Sequence, residues 1–425
     1  MVNIELYSKD IILNISIITF FIMFSMIMFM TIIIIIGLFK KRKYKKYEPN
    51  ISILVPAYNE EKNIEDCLTS IFSSSYPKSK YEVIVIDDGS TDDTSKLLKN
   101  LKKKHEELIV INGNHKGKSA SLNLGLKISK HDYILLVDAD TVLKNDSISK
   151  IIAPFYNNSI GATTGSCLVK NKKGILGAFQ DVEYPYINII RKSFSDVFSN
   201  VSWFLGAFSC YRKDVLNKIG GFKKDTQSED IDISLEIYGE GFNSLNVSDA
   251  YAYTTVPLTI LGYIKQRLRW YVGVLQVLKK HRTKFSVKTN FSINYLFINQ
   301  IWWSIYAVLS LPLIAYQFFY WLPFNNDSFF NIFMYTFNWF SIFGAIKVLY
   351  MVPVWGISFV SLFGVLAGII SVFIIIYSIY LFGEKMNLKK LLALIFYFPY
   401  TILINLIVII GVIDYIIFEK KYFKK

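Results

Sequence analysis

The chain has 425 residues, of which 52% are hydrophobic, and a formal net charge of +14. Long uncharged runs near both ends exclude a wholly water-soluble protein. Three cysteines and four histidines, widely spaced, argue against a disulfide framework or a zinc site. Much of the positive charge lies beside the apolar runs, which favours anionic membrane lipids over nucleic acid as its partner.

The first predicted element is a membrane-spanning helix at residues 11–39, a run without charged residues. A helix needs roughly 20 apolar residues to cross a ~30 Å hydrocarbon core. A cleaved signal peptide is the alternative, but this run is too long and lacks a small-residue cleavage site. The basic cluster at residues 40–46 predicts that residues 1–10 lie outside the cytosol and the next domain inside it.

A single domain is predicted at residues 40–290, where short β-branched runs alternate with helix-like segments. The predicted strands are 51–55, 81–86, 108–111 and 133–137, and the predicted helices lie near 60–72, 91–103 and 118–129. This alternation predicts an α/β domain with a mostly parallel sheet and helices on both faces. Ligands of such sheets bind beyond the carboxyl ends of the strands.

The C-terminal region, residues 291–425, is predicted to contain three or four membrane helices. Clear candidates are 293–322, 354–382 and 391–418. The segment 329–350 also carries Lys347, and a central lysine costs about 2.5 to 3.5 kcal/mol, so this segment either spans the membrane or lies in its interface.

The number of spans decides which basic cluster is cytosolic. If residues 329–350 span the membrane, the basic cluster at the C-terminus is cytosolic. If they do not, the basic cluster in the loop before the last membrane helix is cytosolic. The two clusters are Lys420, Lys421, Lys424 and Lys425, and Lys385, Lys389 and Lys390. Because the C-terminal cluster is the stronger, we expect five spans in all.

Two predicted strands end in carboxylates. Asp87 and Asp88 follow the second strand, and a turn formed by Asp and Gly explains them equally well on local grounds. Asp138 and Asp140 follow the fourth strand, separated by one small residue. Alternating carboxylates can bind Mg²⁺ or Mn²⁺, which keep open positions for substrate phosphates. Two acidic ends in one sheet therefore predict a metal-assisted diphosphate site.

Lys118 begins the helix that follows the third strand, directly after Gly117. A helix N-terminus attracts phosphate, and a lysine adds a point charge. The alternative is a solvated lysine without a ligand.

An acidic cluster, Ser228 to Asp230, precedes another apolar-periodic segment. Helix capping explains it locally. Alternatively, Asp230 is a general base that takes a proton from an acceptor hydroxyl. The local sequence leaves both interpretations open.

A basic amphipathic helix is predicted around Gln266 to Trp270, and a membrane-surface helix is its simplest interpretation. Arg269 could also pair with diphosphate oxygens, and Trp270 offers a flat face on which a sugar ring can stack.

Taken in order, five segments resemble processive family-two glycosyltransferases, which include cellulose, chitin, hyaluronan and poly-N-acetylglucosamine synthases. The resemblance covers about residues 51–280 and the flanking membrane helices. Ser228 stands where the family usually has threonine. The segments are Val55-Pro56-Ala57-Tyr58-Asn59-Glu60-Glu61, Asp87-Asp88-Gly89-Ser90, Asp138-Ala139-Asp140, Ser228-Glu229-Asp230 and Gln266-x-x-Arg269-Trp270.

The resemblance implies the GT-A fold and inverting transfer from a UDP-sugar, with a GlcNAc- or glucose-type donor, to a growing polysaccharide at the plasma membrane. It implies that Asp230 is the base and that Asp138 and Asp140 hold the metal. The implied donor-binding residues are Pro56, Tyr58, Glu60, Asp87, Asp88, Lys118, Asp138 and Asp140. The implied acceptor and diphosphate residues are Trp203, Phe204, Gly206, Glu229, Gln266, Arg269 and Trp270.

Two other functions remain open. A non-processive transferase would share the donor site and add one sugar to a membrane lipid, but Gln266-x-x-Arg269-Trp270 and the later membrane helices argue against it. A non-enzymatic polysaccharide-binding protein would be expected to lack some of the carboxylates, and all are present.

Overall fold

The computed structural model describes residues 2–40, 42–201, 203–286, 289–320, 322–323, 328–356 and 359–422. Three members of the predicted basic clusters, Lys41, Lys424 and Lys425, lie outside the described residues.

An eight-stranded sheet forms the centre of the domain, in the order β3-β2-β1-β4-β7-β6-β8-β5. The first four strands along the chain are parallel to one another, as predicted. Strand β7 runs antiparallel to β4 and β6, and β5 runs antiparallel to β8, so the sheet is mixed. The strands are β1 (Ile51–Ala57), β2 (Tyr81–Asp87), β3 (Leu108–Asn112), β4 (Tyr133–Val137), β5 (Thr141–Leu143), β6 (Ile160–Val169), β7 (Phe208–Arg212) and β8 (Asn243–Thr254).

Fifteen α-helices surround or extend from this sheet in the described residues. They are α1 (Val2–Phe39), α2 (Ile64–Phe72), α3 (Thr94–Lys102), α4 (Lys118–Ile128), α5 (Ser147–Ile152), α6 (Gly174–Phe198), α7 (Lys213–Lys218), α8 (Glu229–Gly239), α9 (Ile260–Lys280), α10 (Phe291–Tyr320), α11 (Phe329–Trp339), α12 (Ile342–Trp355), α13 (Phe359–Leu381), α14 (Leu388–Ile395) and α15 (Tyr397–Tyr422).

The central strands are buried on both faces because helices cover the sheet on each side. Strand β2 is buried throughout, as expected for a β-branched run in the parallel part of a sheet. On β1, Ile53 and Val55 belong to one core cluster and Leu54 to another. Helix α4 lies close to the sheet at Gly125, where an added Cβ would lie 2.9 Å from Ile86.

Helices α6 and α9 connect the sheet domain to the apolar helices. Helix α6 contacts β6 and β8 on one side and α1, α13 and α14 on the other. Helix α9 packs along α15 and also contacts α10. The amphipathic segment predicted around Gln266 to Trp270 is therefore a long helix between the two parts of the protein.

Four described helices are long and apolar enough to cross a membrane: Ile11–Phe39, Phe291–Tyr320, Leu362–Leu381 and Tyr397–Ile417. The segment predicted at 329–350 forms a pair of helices bent by 100°, which would be a fifth span only if the pair counted as one. The last predicted segment, 391–418, is divided between α14 and α15.

Candidate active site

Asp87 and Asp88 lie at the carboxyl end of β2 and organise the surrounding loops. Asp88 accepts hydrogen bonds from the backbone N–H groups of Lys116 and Gly117 at 2.9 and 2.7 Å. Gly117 has φ = +87°, a conformation that glycine adopts without strain. Asp87 accepts from the backbone N–H of Ser90 at 2.9 Å. The two carboxylates are only 2% and 5% exposed, so they fix the shape of this strand end.

An exposed aromatic surface lies beside this strand end. The rings of Tyr58 and His115 are stacked, with centroids 4.2 Å apart, and Tyr58 is 41% exposed. His115 Nδ1 lies 3.8 Å from Asp88 Oδ2. Pro56 precedes this surface within β1, where it is paired with Ile86. A flat exposed ring pair next to fixed carboxylates can stack on a planar heterocycle.

Lys118 joins two of the predicted acidic segments. Its Nζ lies 2.7 Å from Asp138 Oδ1 and 3.1 Å from Glu229 Oε1. It also donates to the carbonyl oxygen of Gly206 at 3.4 Å. Burial opposes the charged form, but the charges of Asp138 and Glu229 raise the pKa of Lys118 above its ordinary value. A permanent cation therefore lies between the end of β4 and the start of α8.

Negative charge accumulates around the end of β4. Asp140 accepts hydrogen bonds from the hydroxyls of Thr141 and Thr254 at 3.1 and 3.3 Å. Burial and the charge of Asp138 raise the pKa of Asp140 to about 6. Burial, reinforced by the charges of Asp140 and Asp138, also raises the pKa of Glu60 to about 7. These carboxylates repel one another, as is typical where a cation is to be bound.

Asp230 lies in the first turn of α8 and is held by backbone groups. Its two oxygens accept from the N–H groups of Gly206 and Ile231 at 3.1 and 2.8 Å. A Cβ at Gly206 would lie 3.1 Å from Asp230 Oδ2, so only glycine fits there without displacing the carboxylate. Burial and the charge of Glu229 raise the pKa of Asp230 to about 6. Ser228 occupies the N-cap position, but its side chain forms no capping hydrogen bond.

Trp270 is held on α9 by a buried ion pair. The guanidinium of Arg267 lies 4.5 Å from the centre of the Trp270 ring and 2.7 Å from Glu183 Oε2. Tyr400 of α15 donates to the same Glu183 oxygen at 2.6 Å. The orientation of Trp270 thus depends on contacts from α6 and α15.

The other predicted acceptor residues are placed differently from one another. Arg269 is exposed on α9. Burial alone would raise the pKa of Glu229, but the positive charge of Lys118, with a smaller effect from Arg269, lowers it below its ordinary value. Trp203 is partly buried against α6. Phe204 is only 1% exposed and belongs to the core, so its side chain does not face an open site. Gln266 Oε1 is buried without a hydrogen-bond partner among the described residues.

The structure therefore gathers Lys118, Asp138, Gly206, Glu229 and Asp230 into one connected group. Sequence reasoning missed Glu183, Arg267 and Tyr400, which hold Trp270. Arg267 lies inside a quoted motif, but its partners come from distant segments, and the sequence pattern gives no signal for the pairing.

This arrangement, a mixed α/β sheet with acidic strand ends and a lysine at a facing helix start, defines a domain of the GT-A type. Residues 52–220 match the family "Glycosyl transferase family 2", so this part of the chain is similar to family-two glycosyltransferase domains.

Curated relatives agree with this assignment. The poly-beta-1,6-N-acetyl-D-glucosamine synthase of Staphylococcus epidermidis (strain ATCC 35984) is 33% identical over 243 residues, 57% of this chain and 58% of that protein. The enzyme of the same name from Staphylococcus aureus (strain COL) is 32% identical over 253 residues, 59% of this chain and 61% of that protein. The chain thus matches less than two thirds of the length of these relatives.

Among solved structures, the mannosyltransferase PcManGT of Pyrobaculum calidifontis, in complex with GDP-Man and Mn²⁺, has a similar fold. Its TM-score is 0.64 at 18% identity, and the match covers 95% of this chain and 98% of that one. The similarity therefore extends over the apolar helices as well as the sheet domain.

Proposed function

We propose that this chain is a membrane-bound, inverting glycosyltransferase that extends a β-linked polysaccharide processively from a UDP-sugar, with an N-acetylglucosamine-type donor. The observation that carries the proposal is the pair of ion contacts made by Lys118, one with Asp138 on the donor side and one with Glu229 beside Asp230. Donor and base segments are thereby held in one site. The sugar is inferred from the names of the Staphylococcus relatives.

The donor binds at the carboxyl ends of β1, β2 and β4. Tyr58 and His115 offer a stacking surface for the uracil ring, and the carboxylates of Asp87 and Asp88 hold the loops around it. Asp138 and Asp140 fit a divalent cation, Mg²⁺ or Mn²⁺, because Lys118 does not neutralise both of their negative charges. Lys118 pairs with Asp138 and also with Glu229. When bound, such an ion would neutralise charge on the leaving diphosphate.

In the reaction, Asp230 takes the proton of an acceptor hydroxyl while the hydroxyl oxygen attacks the anomeric carbon. The bond from that carbon to the diphosphate breaks, UDP leaves, and the configuration inverts. Lys118 and Arg269 stabilise the negative charge that develops on the diphosphate. The hydrogen bonds from Gly206 and Ile231 hold the Asp230 carboxylate in one orientation throughout.

Processivity depends on Trp270. A sugar ring stacked on the indole would keep the end of the product in the site as the next acceptor. The Glu183–Arg267 ion pair is buried and hydrogen-bonded to Tyr400, so this platform stays fixed during repeated additions.

The test is to incubate purified protein in lipid with a panel of UDP-sugars and to measure released UDP and product length. We expect UDP release with an N-acetylglucosamine-type donor and long chains early in the reaction, even with excess acceptor. Trp270→Ala should shorten or eliminate these chains while UDP binding persists. Single-sugar adducts on lipid from the wild-type protein would contradict processivity and favour the lipid-decorating function; no UDP release with any donor would contradict the transferase itself.

The catalytic domain is proposed to face the cytosol, with four membrane spans. The support is the loop between α13 and α14 together with the start of α14: Glu384 of the loop pairs with Lys172, and Lys390 in the first turn of α14 lies 3.2 Å from Asp181 of α6. This loop therefore lies on the same side as the catalytic domain. Helix α10 crosses the membrane away from the catalytic domain, and α13 crosses back towards it. The bent pair α11 and α12 therefore begins and ends on the opposite side of the membrane. This topology has four spans and does not fit the five expected from the C-terminal lysines.

A cysteine-labelling experiment tests the orientation. Cys67, Cys167 and Cys210 are buried, so a cysteine-free background is made first and Lys104, exposed in the loop before β3, is replaced by Cys. We expect impermeant maleimide to leave this cysteine unlabelled in intact cells and to label it after permeabilisation. Equal labelling in both conditions would place the domain outside the cytosol and away from UDP-sugars.

A further inference from the structure

Helices α8 and α9 are joined by a buried charged cluster that the mechanism above does not use. The Asp232 carboxylate of α8 is 1% exposed, and its Oδ1 lies 2.6 Å from Nε2 of His281, which is 3% exposed. Its other oxygen lies 2.8 Å from Nζ of Lys280. Both partners come from the last turn of α9 and the residue after it.

Helix α9 also contacts the two residues that directly precede α8, Gln227 and Ser228. Gly273 of α9 lies so close to Ser228 that an added Cβ would be 2.2 Å from the serine hydroxyl. The side-chain oxygen of Gln276 accepts a hydrogen bond from the backbone N–H of Gln227 at 2.8 Å. Together with Asp232 and His281, these contacts run along the seam from the start of α8 to the end of α9.

These contacts connect the two helices that carry the proposed chemistry. Asp230 lies in the first turn of α8, whereas Gln266, Arg269 and Trp270 lie on α9. Asp230 and Asp232 are two residues apart and are therefore separated by roughly 200° around the helix axis, which places them on nearly opposite faces of α8. Asp230 faces Gly206 while Asp232 faces α9, so a rotation of α8 that breaks one contact also displaces the other.

The ligand atoms of Asp232, Glu236 and His281 lie within 4.8 Å of one another, a spacing that could also suit a metal ion. Lysines already supply positive charge to both carboxylates: Lys280 to Asp232 at 2.8 Å and Lys284 to Glu236 at 3.5 Å. A metal would have to displace these ammonium groups. The contacts therefore favour a helix-to-helix connection at this cluster.

We propose that Asp232 and His281 are positioning residues that fix the base Asp230 relative to the acceptor segment of α9. The proposal rests on the proposed function, since it assigns roles to α8 and α9 in sugar transfer. Small displacements matter because a ~1 Å error in the position of a reacting group can cost about 100-fold in rate. The donor residues at the ends of β1, β2 and β4 are not part of this connection, and Lys118 links Asp138 among them to Glu229 on α8.

The experiment compares purified full-length His281→Leu, His281→Gln and the wild type in lipid. His281→Leu removes the hydrogen bond to Asp232, and His281→Gln can still donate one. We expect His281→Leu to lower kcat about tenfold or more while KM for the UDP-sugar and Kd for UDP stay within about threefold, and His281→Gln to retain most of kcat. Glu240→Gln, which breaks the partly exposed Lys218–Glu240 pair at the end of α8, is the matched control and should leave kcat unchanged.

Removing one partner of a buried charge pair can prevent folding. If His281→Leu is not recovered, the double variant Asp232→Asn with His281→Gln, which keeps a neutral hydrogen bond, is compared with the double variant Asp232→Leu with His281→Leu, which keeps none. The positioning role requires a higher kcat in the hydrogen-bonded double variant than in the apolar one, at equal UDP affinity.

Three results would overturn the proposal: a kcat for His281→Leu equal to that of the wild type, a loss that follows UDP affinity and Tm together, or an equal kcat in the two double variants. A wild-type protein that transfers no sugar from any donor would instead refute the proposed function, so the two failures are distinguishable.

Discussion

Replacing Asp230 with Asn is expected to lower turnover by at least ~100-fold while UDP binds with near-normal affinity. Asparagine has the same shape and can still accept a hydrogen bond from Gly206, but it cannot take a proton from the acceptor. The measurement is the rate of polymer formation at saturating donor, with UDP affinity determined separately. Turnover within a few-fold of the wild type would show that another group is the base.

The pH dependence of turnover provides an internal control for this prediction. Because burial and Glu229 raise the Asp230 pKa to about 6, the carboxylate is protonated below that pH and cannot act as a base. Turnover of the wild type should therefore rise as pH increases through about 6 and level off above it. Lys118 and Glu229 both face Asp230. The Glu229 charge raises the pKa of Asp230, and the Lys118 charge keeps that pKa from rising further. At saturating Mg²⁺ or Mn²⁺, which favours the ionised form of Asp140, Asp230→Asn should lose this rise while keeping its residual rate.

Glu229→Gln separates the influence of the neighbouring charge from that of burial. Removing the Glu229 charge should move the rise in turnover to lower pH, because the repulsion that disfavours ionised Asp230 is gone. It also removes one partner of Lys118, so the transfer rate itself is expected to change. The position of the pH midpoint, not the rate, is the informative quantity.

Local patterns predicted much of the domain. The β-branched runs gave the four parallel strands, and the positions of Asp87 and Asp138 followed from the rule that ligand residues lie at carboxyl strand ends. Strands β5 to β8 were not predicted, because their pairing joins segments far apart in the chain. The register of Thr141 with Thr254 illustrates this: the two residues are 113 positions apart in the chain (254 − 141).

In the candidate site, too, local motifs predicted the residues, whereas the contacts between distant segments were not predicted. The motifs predicted that Lys118 binds an anion, but its ion pairs with Asp138 and Glu229 depend on how α4 and α8 meet in space. Phe204 was grouped with acceptor residues from the resemblance alone, and the structure buries its side chain in the core. Buried pairs such as Asp232 with His281 have no local pattern at all, since each residue is an ordinary helix residue in sequence.

Chelation of divalent ions is expected to reduce sugar transfer by at least ~100-fold, and added Mg²⁺ or Mn²⁺ should restore it. A bound cation supplies several kcal/mol of charge stabilisation, and about 1.4 kcal/mol corresponds to a factor of ten. Asp140→Ala should give the same loss without restoration by metal, with the protein still folded in the membrane. The rate of UDP release before and after chelation is the measurement, and full activity in chelator would reject the metal site.

Asp138 and Asp140 should respond differently, which tests the geometry of the site as well as its metal. Asp140 is bonded to the hydroxyls of Thr141 and Thr254, so its removal leaves Lys118 paired with Asp138 and Glu229. Asp138→Ala removes a metal ligand and also frees Lys118 to pair with Glu229 alone. Since Glu229 lies beside Asp230, Asp138→Ala should alter the pH midpoint of the residual activity, whereas Asp140→Ala should leave it near that of the wild type. Equal midpoints in both variants would mean that Lys118 does not connect the donor carboxylates to the base.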